Sequence, residues 1–133
     1  MPTEPAPALP KNFLRPCLLL LLREEKAHGY DLLERVQALG FDGSDPGGLY
    51  RALRALEKEK LVWSAWEPSV NGPDRRTYEI TRAGMEELHR NAKAIASGQE
   101  TVARFLSRYQ EFVALPRRAR AARPSRDDAA SVR

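Results

Sequence analysis

Tyr50, Arg51, Arg54 and Lys58 are spaced so that a helix would carry all four on one side. That face presents one phenol and three cations, groups that meet phosphate oxygens and guanine edges. Arg75 and Arg76 form a second cationic pair beside the turn Gly72-Pro73-Asp74, placed to reach a nucleic-acid backbone or minor groove. Glu57 and Glu59 sit close to the first group and repel phosphate, which argues against a purely non-specific electrostatic binder. Other chemistry finds little support. His28 and His89 are the only histidines and have no ligand partners at metal spacing, so no metal site is expected. Cys17, the single cysteine, lies in an apolar run and reads as a buried, inert thiol. There is no Ser-His-acid or Cys-His arrangement. The acid pairs Glu24-Glu25 and Glu86-Glu87 read as solvated helix faces, so neither an enzyme nor a cofactor is expected.

The elements that must position these cations follow from hydrophobic spacing. A first helix is predicted from Phe13 to about Arg23, apolar nearly all round and therefore deeply buried, with Pro16 tolerated in its first turn. Lys26-Ala27-His28-Gly29 reads as a break. A second helix runs from about Tyr30 to Leu39, with Leu32, Leu33, Val36 and Leu39 at helical spacing and Gly40 as its C-cap. A third helix starts near Pro46 and buries Leu49, Leu53 and Leu56. A two-stranded ribbon follows, Leu61 to Glu67 and Arg76 to Ile80, joined by a loop over 68–74 with Asn71-Gly72-Pro73 as its turn chemistry. A basic helix followed at once by such a ribbon is the layout of a winged helix, which sets one element in a DNA groove and another on the flanking backbone. Trp63 and Trp66 read first as packing for the ribbon, with a small-molecule effector pocket as the alternative.

A fourth helix is predicted from Thr81, which can cap it. Met85, Leu88, Ala92, Ile95, Gln99, Val102, Leu106, Tyr109 and Val113 are spaced alternately three and four residues apart, an a/d stripe over four heptads that Phe105 and Phe112 widen. Gly98 and Gln99 weaken its middle and predict a bend or looser packing there. A helix of about 30 residues is near 45 Å long, more than one small domain can cover, so the stripe reads as a homodimer seam. Two recognition helices must also stand about 34 Å apart to enter successive major grooves. Packing back on its own domain is the alternative.

The chain has 133 residues, room for one small domain and an extension, and a net charge of +4. Residues 1–81 hold 11 basic and 12 acidic residues, net −1, whereas 82–133 hold 11 and 6, net +5. DNA binding must therefore rest on where charges sit in the first 81 residues. The organisation expected is a disordered leader over 1–12, a DNA-binding domain over 13–81, a dimerisation helix over 82–115 and a disordered Arg/Ala-rich tail over 116–133, where Pro116 ends the helix. The single cysteine fits a reducing cytoplasm, and no apolar run is long enough to cross a membrane.

Five segments together resemble the PadR family of transcriptional regulators: His28-Gly29-Tyr30-Asp31-Leu32, Pro46-Gly47-Gly48-Leu49-Tyr50-Arg51-Ala52-Leu53, Leu56-Glu57-Lys58-Glu59-Lys60-Leu61-Val62, Gly72-Pro73-Asp74-Arg75-Arg76-Thr77-Tyr78 and Thr81-Arg82-Ala83-Gly84. The single long C-terminal helix is similar to that of the short-tailed subfamily. The resemblance implies a mainly helical winged helix-turn-helix fold with a small β-ribbon. It also implies a homodimeric repressor on an inverted-repeat operator in double-stranded DNA. Tyr50, Arg51 and Arg54 would belong to the recognition helix, and Arg75 and Arg76 to the wing. Lys58 extends the helix face, and His28 and Tyr30 flank it, with His28 alternatively a plain turn residue. The family usually carries Ser or Thr at the position of Gly48, so here only backbone N–H groups, those of Gly47 and Gly48, remain for a phosphate. A small-molecule effector shifting the angle of the long helix is the regulation this reading allows. A winged-helix interaction module without DNA binding is the alternative function.

Overall fold

The computed structural model describes residues 8–41 and 45–115. Residues 42–44 and the expectations for residues 1–7 of the leader and for the tail 116–133 with Pro116 lie outside the described residues. The elements in chain order are α1 (Leu14–Glu24), β1 (Ala27–His28), α2 (Gly29–Ala38), α3 (Pro46–Lys58), β2 (Val62–Glu67), β3 (Arg75–Ile80) and α4 (Arg82–Ala114). The fold is a mainly helical winged helix with a small antiparallel sheet. No described helix is long and apolar enough to cross a membrane.

The leucine-rich α1 packs Cys17, Leu18, Leu19, Leu21 and Leu22 into the core, while Leu20 stays exposed, so burial is not complete all round. Burial raises the pKa of the Cys17 thiol, as an inert core residue requires. Two arginines fix α1 to its neighbours. Arg15 donates to both carboxylate oxygens of Glu59 at 2.8 and 3.0 Å, tying the helix to the end of α3. Arg35 of α2 donates to the Leu21 carbonyl at 3.0 Å and to Glu24 at 3.2 Å, satisfying acceptors in the last turn of α1.

In α2, Leu32 and Val36 are buried, whereas Leu39 is largely exposed. The helix ends in a Schellman arrangement. The Phe41 N–H reaches the Val36 carbonyl, and the Gly40 N–H the Gln37 carbonyl, with Gly40 at φ 116°. Phe41 then stacks on Phe13 at 5.7 Å between ring centres.

Leu49, Leu53 and Leu56 of α3 are fully or almost fully buried, as their spacing predicts, and meet Leu18, Leu19, Leu32, Val36 and Val62 in a single core. Pro46 occupies the first turn. Asp45 is the N-cap, accepting from the Gly48 N–H at 3.0 Å. Asp45→Ala should lower the unfolding free energy by about 1 kcal/mol, read as a shift of the urea midpoint.

The sheet has the order β1-β3-β2. The segment read as a break supplies a third strand of two residues, Ala27 opposite Tyr78 and His28 opposite Thr77. The Thr77 hydroxyl and His28 Nδ1 lie 3.1 Å apart, which adds a side-chain link to that pairing. In the ribbon, Ser64 faces Tyr78, Trp66 faces Arg76 and Glu67 faces Arg75. Both arginines are therefore strand residues, with the connecting loop ending before them. Trp63 and Trp66 are 48% and 63% exposed, so neither packs the ribbon in the way their size led us to expect. Their spacing of three residues puts them on opposite faces of the strand.

The Thr81 hydroxyl donates to the Lys60 carbonyl at 2.7 Å and accepts from the Gly84 N–H at 3.0 Å, capping α4 as expected. The Thr81 N–H also reaches the Leu61 carbonyl at 3.0 Å. Two compact units, Met1–Ile95 and Ala96–Arg133, divide the chain. α4 is one helix of 33 residues, and its helical hydrogen bonding continues through Gly98 and Gln99. Leu88 packs against the core of its own chain, and Met85 and Ile95 are half-buried. Ala92 is exposed, and Val102, Phe105, Leu106, Tyr109, Phe112 and Val113 are between 43% and 66% exposed.

Candidate nucleic-acid interface

The buried stripe of α3 forces its other side outward. Arg51, Arg54 and Lys58 are exposed there, and none of their side chains makes a hydrogen bond or ion pair with another described residue. Tyr50 is only 37% exposed, because its ring lies across the start of α2. A Cβ at Gly29 would come within 2.5 to 2.8 Å of the Tyr50 ring and hydroxyl, so a side chain there would displace the phenol from this position. The glycine after His28 thus leaves room for the Tyr50 ring.

At the first turn of α3 the Gly48 departure finds a physical reason. A Cβ on Gly48 would lie 2.6 Å from Asp45 Oδ1, so the capping carboxylate would have to shift to admit a serine or threonine there. The Arg51 guanidinium reaches back over the same turn, with Nη1 3.2 Å from where a Gly47 Cβ would stand. The helix start is therefore capped by an anion and screened by a cation. Its N-terminal amides are only partly available to a phosphate.

A cleft of about 500 Å³ opens between α2, α3 and the ribbon, lined by His28, Gly29, Tyr30, Asp31, Tyr50, Trp66, Arg75, Arg76 and Tyr78. It brings together five of the residues expected to contact DNA, His28, Tyr30, Tyr50, Arg75 and Arg76, with Trp66 from the proposed effector pocket. Trp63 does not join them, and Arg51, Arg54 and Lys58 lie on the helix face outside the cleft. Burial raises the Tyr78 phenol above its ordinary pKa, an effect the nearby Arg76 charge opposes and Glu57 reinforces.

The two arginines of the ribbon differ. Arg75 is exposed, and its side chain makes no hydrogen bond or ion pair with another described residue. Arg76 donates from Nε to Ser64 Oγ at 2.9 Å, and Ser64 donates to Glu57 Oε2 at 2.7 Å. Arg76 Nη2 lies 3.7 Å from the same Glu57 oxygen, and the guanidinium sits 5.3 Å over the Trp66 ring. Ser64 carried no sequence signal. Only the register of the ribbon, with Ser64 and Trp66 on one face, could have revealed it. Among the described residues, no group of three His, Cys, Asp or Glu side chains is placed to hold a metal ion.

The sequence profile of the transcriptional regulator PadR-like family matches residues 18–90. Among solved structures, a PadR-like transcriptional regulator from Bacillus cereus is 31% identical and superposes with a TM-score of 0.66, covering 72% of this chain and 93% of its own. A PadR-like transcription factor from Bacteroides fragilis is 28% identical, with a TM-score of 0.62 over 71% of this chain and 91% of that one. The Bacillus subtilis PadR in complex with operator DNA is 27% identical, with a TM-score of 0.55 over 60% of this chain and 45% of that longer one. No curated protein sequence matches the chain significantly.

Proposed function

The chain belongs to the PadR-like family of transcriptional regulators, which are not enzymes, and from that premise we propose that it binds operator DNA as a homodimeric repressor. The observation that carries this reading is the α3 face. Three exposed cations stand on one side of a buried helix, framed by the start of α2 and the ribbon, in a fold shared with an operator-bound homologue. Arg51 and Arg54 would read base edges in the major groove. Lys58 would meet phosphate, and His28, Tyr30 and Arg75 would steady the flanking backbone. The N–H groups of Gly47 and Gly48 contribute little in this reading, because Asp45 already holds one of them.

Residues 13–81 act here as the reading head and 82–115 as the pairing helix, and the site is the cytoplasm. Two symmetric heads call for an inverted repeat with half-sites about 34 Å apart. A small molecule would tune or release the complex.

Selection of bound fragments from genomic DNA, repeated with cell extract, tests this reading. An enriched inverted repeat is the expected result. Arg51→Ala and Arg54→Ala should each weaken binding to it by about 1–3 kcal/mol, and Lys58→Ala should reduce the salt slope by about one. No enriched sequence, or indifference to both arginine variants, would leave the protein as an interaction module.

A further inference from the structure

We infer that Glu57 and Ser64 are positioning residues that hold Arg76 on Trp66 and so lock the ribbon to α3, leaving Arg75 as the cation the ribbon offers to phosphate. The inference deepens the DNA-binding reading and rests on it for its functional part.

The contacts form one continuous path from α3 to β3. Glu57 lies on α3 one turn after Arg54, Ser64 on β2, Arg76 on β3 and Trp66 back on β2. The path runs from Glu57 Oε2 to Ser64 Oγ at 2.7 Å and on to Arg76 Nε at 2.9 Å, closed by the 3.7 Å ion pair and the 5.3 Å cation–ring contact. Only arginine can serve every link, since its Nε–H donates along the guanidinium plane while the planar face covers the indole. Drawing Arg76 toward a phosphate would break a charge-assisted bond and leave the half-buried Glu57 carboxylate without its counter-charge. Arg75 has no such ties among the described residues, so it reaches phosphate without that cost. Glu57 is therefore more than an acid tolerated beside a basic face. It sets the angle between the helix that would read bases and the ribbon that would grip the backbone.

The test uses the full-length chain with Arg75→Ala, Arg76→Ala, Arg76→Lys and Ser64→Ala. Two labelled duplexes serve as probes, a mixed-sequence one and the fragment enriched by genomic selection, each titrated over a KCl series. Arg75→Ala should flatten the salt slope by about one on both. Arg76→Ala, Arg76→Lys and Ser64→Ala should keep the slope on the mixed duplex and lose on the order of tenfold in preference for the selected fragment. A slope flattened by Arg76→Ala and restored by Arg76→Lys would overturn the inference, because charge alone would then explain Arg76.

A second arm needs no DNA. The Arg76 Nε–H resonance should be resolved and protected from exchange, and it should collapse into the bulk arginine signal in Ser64→Ala. A wild-type resonance already in the bulk would also overturn the lock. Should no duplex bind, the DNA-binding reading falls while this arm still decides the contact.

Discussion

Gly84→Ala lowers the unfolding free energy by roughly 2–4 kcal/mol, the largest stability effect expected of any single methyl group in this chain. An alanine in the first turns of a helix ordinarily gains up to about 1 kcal/mol over glycine. Here the sign reverses. A Cβ at Gly84 would collide with the Leu61 carbonyl oxygen and stand 2.7 Å from Ile80 Cγ1. The oxygen belongs to backbone and cannot swing aside. It also accepts the Thr81 N–H, so moving it breaks the contact that seats the start of α4. Gly98 supplies the internal control, since nothing lies within 4 Å of a Cβ built there. Gly98→Ala should gain about 0.5–1 kcal/mol by propensity alone. Urea unfolding of the two variants separates the explanations. A Gly84→Ala protein as stable as wild type would mean the joint is loose.

Val102→Glu with Leu106→Glu leaves a folded monomer and weakens operator binding about 100-fold or more. Val102 and Leu106 are 55% and 48% exposed, and they share the a/d stripe with the 54% exposed Tyr109. An apolar row of this length in water needs a partner, and a second copy supplies an identical row. Two carboxylates per chain at the seam would face two more across it, unpaired and desolvated. The winged domain does not contain these residues, so circular dichroism of its helices should persist. The loss in DNA binding follows from valency. A linked second head binds at an effective concentration near the millimolar range, and avidity of about 10² to 10⁴ disappears with it. Light scattering that still finds a dimer for the double variant, or a monomer for wild type, would sink the seam.

The helices could be read from spacing: Leu49, Leu53 and Leu56 of α3 are as buried as a period near 3.6 demands, whereas the heptad stripe of α4 marks a helix whose far half stays exposed. The two-residue β1 could not be read this way. Two residues carry no periodicity, and Ala27 and His28 become a strand only because Tyr78 and Thr77 offer an edge. The tryptophans misled for a related reason. Their size argues for burial, but the ribbon gives the core Val62 and Tyr78, with Leu61 just before it, and both indoles stay outside that core. The Asp45 cap went unread, although Asp before Pro at a helix start is a start signal, and its carboxylate accepts from the Gly48 N–H. The commitment of Arg76 was hidden. Two adjacent arginines look equivalent in a sequence, and only strand alternation turns one toward Glu57 and leaves the other in solvent.

The joint at Thr81 and Gly84 carries a consequence for protein engineering. Lys60, Leu61, Thr81 and Gly84 form a coupling in which all but the Thr81 hydroxyl bonds through backbone atoms, and Lys60, at φ 64°, is the left-handed residue that ends α3 beside it. Beyond it, Leu88 packs on the core and Met85 and Ile95 are half-buried, so the mount extends through that stretch of α4. A chimaera that keeps this chain through Ile95 and continues in phase with another dimer's heptads would inherit a ready mount. The spacing and symmetry of its two heads would then be chosen by the grafted helix.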